Sequence, residues 1–145
     1  MQMTILRRFG ATFAAGALMA LPAFAETMTY TADLTADAEV PPADSAATAA
    51  TGTAEVTVDT DANTVSWVVS YQDLTGDATA AHIHGPAAED ENAPPVIDMS
   101  DAIMEGSADI TADQIAELQD GKYYVNVHTE QYPDGEIRGQ LMAKE

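Results

Sequence analysis

The chain is expected to form an all-β domain, a Greek-key β-sandwich or flattened barrel of seven to eight antiparallel strands with one short helix. Three observations predict this. After residue 25 the sequence is dominated by Thr, Val and Ala in alternating polarity. Turn residues recur between the alternating segments, and helical spacing is nearly absent.

Taken in order, residues 1–25 read differently from the rest. Arg7 and Arg8 precede an apolar stretch of small residues, and Ala23-Phe24-Ala25 stands before Glu26, the form of a cleavable secretory signal. Pro22 and the Ala-x-Ala site argue against a membrane anchor. The expected mature chain is one domain, residues 26–145, periplasmic or secreted, and of a size that buries a core unaided. Its first strand runs from Thr27 to Leu34. A surface loop follows through AEVPPADSAATAATG, where two prolines and many small polar residues interrupt any ladder.

Gly52 to Asp59 and Thr64 to Tyr71 form the clearest hairpin. Ala54, Val56 and Val58 share one side of its first strand, Val65, Trp67, Val69 and Tyr71 one side of its second, and Asp59 to Asn63 supply the turn. The lone tryptophan, Trp67, belongs to the core. Ala78 to His84 make the next strand, stopped by Gly85 and Pro86 because proline has no amide hydrogen to donate. Beyond the acidic loop AAEDENAPP, a short strand fits Pro95 to Met99. The helix starts at Thr111: Thr111 and Gln114 have capping-box spacing, Ile115 and Leu118 share a face, and Gly121 ends it. Lys122 to His128 and Glu136 to Met142 close the chain as a second hairpin around Pro133-Asp134-Gly135.

Composition narrows the chemistry. There is no cysteine, so neither a disulfide nor a thiolate metal site can form. Residues 26–145 carry all 24 acidic groups against three cations, Lys122, Arg138 and Lys144, a formal charge of −21. Such a surface repels nucleic acid and anionic lipid, so neither is an expected partner once the signal is removed; no protein partner is indicated. Ser45, Ser66, Ser70, Ser100 and Ser107 lack the surroundings of a nucleophile elbow, and no glycine-rich phosphate loop occurs, which disfavours hydrolase and nucleotide-binding readings. Glu89, Asp90 and Glu91 lack calcium-loop spacing, and Met28, Met99, Met104 and Met142 are scattered as packing residues are.

The informative residues are the three histidines. Side chains two apart in a strand point the same way, so His82 and His84 project together while Ile83 points into the core. In YYVNVH, Tyr123, Val125 and Val127 alternate with Tyr124, Asn126 and His128, which places the third imidazole opposite its strand's apolar face. Paired, the two strands bring all three rings to one point. Three neutral imidazoles suit a single transition-metal ion, copper first and zinc second. Asn126 shares the face of His128, and Glu136 shares with Arg138 the polar face of the last strand; Asn126 and Glu136 are the candidates to support the ligands from behind.

Three blocks, AEVPP at 38–42, AHIHGPAA at 81–88 and YYVNVHTEQYPDGEIRGQL at 123–141, resemble the CHRD domain, a module named for its occurrence in chordin and widespread in exported bacterial proteins. Their order and spacing cover essentially the whole mature chain, residues 26–145. The His-x-His and Val-His strands are also similar to the strands that hold copper in copper-zinc superoxide dismutases, on a Greek-key barrel. That likeness implies His82, His84 and His128 as copper ligands and Arg138 as the arginine that guides superoxide. With three histidines and no cysteine, only a zinc-free, mononuclear version without the disulfide is possible. The sequence therefore predicts an exported protein for copper binding, buffering or delivery. The alternatives are a mononuclear copper dismutase-like enzyme, with Arg138 catalytic, and a metal-free extracellular binding module.

Overall fold

The computed structural model describes residues 26–145 apart from Ser45 and Thr48; the expected signal segment, 1–25, lies outside the described residues. Nine strands form: β1 (Thr27–Thr35), β2 (Thr51–Asp59), β3 (Thr64–Gln72), β4 (Ala78–His84), β5 (Pro95–Asp98), β6 (Glu105–Asp109), β7 (Tyr124–Thr129), β8 (Ile137–Gln140) and β9 (Met142–Ala143). The helix α1 spans Ala112–Gln119. All pairings are antiparallel, in the order β5-β4-β7-β8-β1-β2-β3-β6, with β9 pairing β1 off this path. The flattened-barrel form of the expectation is the one observed. No helix of the described residues is long and apolar enough to cross a membrane.

The two edge strands, β5 and β6, are consecutive in the chain, and the link between them closes the barrel without a ladder. Met99 N–H donates to the Ala81 carbonyl of β4 at 2.9 Å, and Val69 N–H of β3 donates to the Met104 carbonyl at 2.8 Å. Between these points the Trp67 indole N–H donates to the Ala102 carbonyl at 2.9 Å. One short segment thus ties both edges of the sheet together.

Period-two patterning sets the interior. Tyr30, Ala32 and Leu34 of β1, Ala54, Val56 and Val58 of β2, Val65, Trp67 and Val69 of β3, and Ile83 of β4 all turn inward. Burying a side chain of Leu, Val or Ile size contributes roughly 1.5–3 kcal/mol each before chain entropy is charged against it. At one end α1 covers the barrel with Ile115 and Leu118. Its capping box is complete: Gln114 N–H donates to Thr111 Oγ1 at 3.2 Å, and Thr111 N–H donates to Gln114 Oε1 at 2.9 Å.

Three features depart from the sequence expectation. β6 was not anticipated, because EGSAD has no alternating apolar side and low strand propensity; it forms only by pairing with β3 over Thr64 to Val68. The expected final strand divides at Leu141, whose N–H turns aside to the Tyr123 carbonyl at 2.9 Å. And β7, read as half polar, is buried on both sides, its polar side lying under the segments around Glu39 and 86–93.

Candidate metal centre

β4, β7 and β8 lie side by side, and their register builds the site in rows. Ala80 stands opposite His128, His82 opposite Asn126 and Arg138, and His84 opposite Tyr124 and Gln140. The face these residues share is the outer one, since Ala81, Ile83, Val125 and Val127 fill the barrel from the other side. The predicted convergence of the imidazoles is observed. One ligand atom from each of His82, His84 and His128 lies within 4.8 Å of the other two, an arrangement that can hold a metal ion.

The hydrogen bonds fix which nitrogens are available. A carbonyl only accepts, so a ring nitrogen facing one must carry the proton. His84 Nδ1–H donates to the Ala93 carbonyl at 2.8 Å, and His128 Nδ1–H donates to the Pro133 carbonyl at 2.9 Å. Both rings therefore keep a lone pair on Nε2. That of His84 is buried and has no hydrogen-bond partner, and that of His128 lies 3.0 Å from His82 Nδ1. On its other side His82 presents Nε2 to the Asp98 carboxylate at 3.7 Å. Burial pushes His84 down to about 4, with the Ala93 carbonyl opposing the shift, and burial likewise holds His128 below its ordinary value. These two imidazoles are neutral near pH 7, the form a metal requires.

The remaining candidates are placed as follows. Asn126 sits beside His82, but its Nδ2–H donates to Glu39 Oε1 at 2.6 Å and its Oδ1 is buried without a partner. Gly135, at φ +131°, leaves that contact open, because a Cβ there would come within 2.6 Å of Glu39 Oε1. Glu136 is fully buried and binds neither a histidine nor Arg138. It accepts from Thr75 N–H at 2.7 Å, Thr75 Oγ1–H at 2.8 Å and Thr129 Oγ1–H at 2.7 Å, so it anchors the loop before β4. Arg138, expected on an open polar face, is 1% exposed and turned toward the acidic loop.

Glu39 and Asp98 were not singled out from the sequence, although Glu39 stands in the AEVPP block. Burial pushes the Glu39 carboxyl up to about 8 against the opposing pull of Arg138 and the Asn126 bond. A raised folded pKa stabilises the fold fully below about 4.5, and that stabilisation is lost as pH rises toward 8. Glu39→Gln mimics the protonated acid. It is expected to remove a loss on the order of 3 kcal/mol between pH 5 and pH 8, read as the difference between urea unfolding curves of variant and parent. Equal slopes with pH in the two proteins would show that Glu39 ionises normally.

Residues 30–141 match the family model described as CHRD domain. No curated protein and no solved structure matches the chain.

Proposed function

The chain belongs to the CHRD-domain family, and from that membership together with the histidine cluster we propose that it is an exported protein that binds one transition-metal ion, copper by preference, through His82, His84 and His128. The observation that carries this reading is the pair of carbonyl-locked tautomers: Ala93 and Pro133 hold two Nε2 lone pairs beside His82 Nδ1. When His82 Nδ1 is given to the ion, its proton resides on Nε2, facing Asp98, which orients the ring as carboxylates do behind metal-bound imidazoles. Three nitrogen donors with neither thiolate nor thioether follow the affinity order that favours copper over zinc.

Arg138 is engaged by the acidic loop, so the arrangement supports binding, buffering or delivery of the ion and offers no free arginine to draw in an anion. The sequence of residues 1–25 supports export. The test is a titration of the purified protein with Cu(II) and Zn(II), together with the mass of the chain recovered from the periplasm. One copper per chain, displacing zinc and giving a nitrogen-coupled EPR signal, is expected on a product that begins near Glu26. Absence of uptake at one equivalent would defeat the metal reading, and an uncleaved cytoplasmic product would defeat export.

A further inference from the structure

Arg138 presents an energetic puzzle. Its guanidinium is buried, yet no carboxylate lies within ion-pair distance of it among the described residues. Nη1 donates to Asn92 Oδ1 at 3.0 Å, and Nη2 donates to the Ala88 and Glu91 carbonyls at 3.2 and 2.7 Å. A buried charge whose hydrogen bonds all go to neutral acceptors, with only the Coulomb pull of the Glu39 carboxyl beside them, is costly, and an apolar side chain would fill the same space more cheaply. Packing therefore does not account for it.

Its contacts lead to one ligand by two routes. Cζ stands 3.5 Å over the Tyr124 ring, and Tyr124 is stacked on His84 at 4.9 Å with 3° between the planes. β7 lies between β4 and β8, so the tyrosine is sandwiched between the imidazole and the guanidinium. The second route runs through the loop. Asn92 and Glu91, held by Arg138, immediately precede Ala93, whose carbonyl accepts from both His84 Nδ1–H and the Tyr124 hydroxyl. Asn92 Nδ2–H is fixed in turn to the Val40 carbonyl at 2.6 Å.

We infer that Arg138 is a positioning residue of the proposed copper site, which sets the ring plane of His84 through Tyr124 and its tautomer through the Ala93 carbonyl. The inference rests on the metal reading for its purpose, but its physical content is present in the ion-free protein. With the carbonyl in place, the His84 proton sits on Nδ1 and the lone pair on Nε2 faces the cluster. With the carbonyl displaced, nothing holds the proton there and the ligand must reorganise before it binds.

The test uses ¹⁵N NMR of the histidine rings in ion-free protein, beside copper affinity and EPR, for the parent, Arg138→Met and Arg138→Lys. In the parent, His84 should be a single Nδ1–H tautomer. In Arg138→Met its two nitrogens should average toward a tautomer mixture while those of His128, held by Pro133, stay put. Copper should then bind about 10–100-fold more weakly, the range seen when groups behind a metal ligand are removed, with altered copper hyperfine splitting. Lysine keeps the charge without the fork and should restore part of the tautomer and part of the affinity. A folded Arg138→Met with an unchanged His84 tautomer overturns the inference. If that variant does not fold, an unchanged tautomer in Arg138→Lys does so. Failure of the parent to take copper defeats the metal reading alone, since the ring nitrogens are read without the ion.

Discussion

Changing His82 and His128 together to alanine is expected to reduce copper uptake from one equivalent to below a tenth, with the β fold retained. The two rings face each other across β4 and β7, with Nδ1 of His82 and Nε2 of His128 3.0 Å apart, and their removal leaves His84 as a single imidazole. One nitrogen donor does not compete with solvent or buffer for the ion at micromolar protein. The fold survives because both ends of the shared hydrogen bond are removed together, which leaves neither ring nitrogen orphaned, and His82 is partly exposed. The Pro133 carbonyl loses a donor, at a cost of about 1 kcal/mol, and the exposed Asp98 carboxylate loses the His82 ring to solvent. Metal analysis after gel filtration and far-UV circular dichroism check both halves. Undiminished uptake by a folded double variant would place the ligands elsewhere.

The largest effect on stability is expected from Trp67→Ala. Trp67 is buried on β3, bonded to Ala102 in the link between the edge strands, and packed so closely on Gly106 that a Cβ there would lie 2.5 Å from the ring. Truncation leaves a cavity, removes a donor from a carbonyl, and loosens the 99–104 link that joins the two edges. A cost of about 3–5 kcal/mol follows from large-to-small core changes, and for a domain of this size it lowers Tm by roughly 12–20 °C. Thermal unfolding followed by circular dichroism measures it. A fall under about 5 °C would show that the seam is held by something other than the indole.

How far the sequence disclosed this molecule depends on whether a signal was local. β2, β3 and β4 were legible because alternation and turn chemistry act within a few residues, and the cap of α1 because Thr111 and Gln114 bond to each other. The meeting of the histidines was legible for a related reason: parity in a strand places His82 and His84 on one side, and pairing does the rest. β6 was hidden because its order comes from a partner 43 positions away, as in the pair of Val65 with Ala108, rather than from its own residues. The burial of Arg138 and Asn126 was hidden for the complementary reason. Alternation says which side a residue faces but not whether another loop will cover that side, and here the segments around Glu39 and Asn92 do. Glu136 shows the same limit: its acceptors' partners, Thr75 and Thr129, come from a loop and a strand that no pattern links.

The bond between His82 and His128 joins positions 46 residues apart. In a protein without sulfur bridges, an ion gripping both rings would act as a reversible cross-link, closing a loop of the length a cystine often closes. Unlike a cystine, it would open to acid or a chelator and ignore reductants. Metal occupancy and the integrity of the β4–β7 pair would then be linked, so that metal starvation, and not redox poise, would decide how readily this domain comes apart.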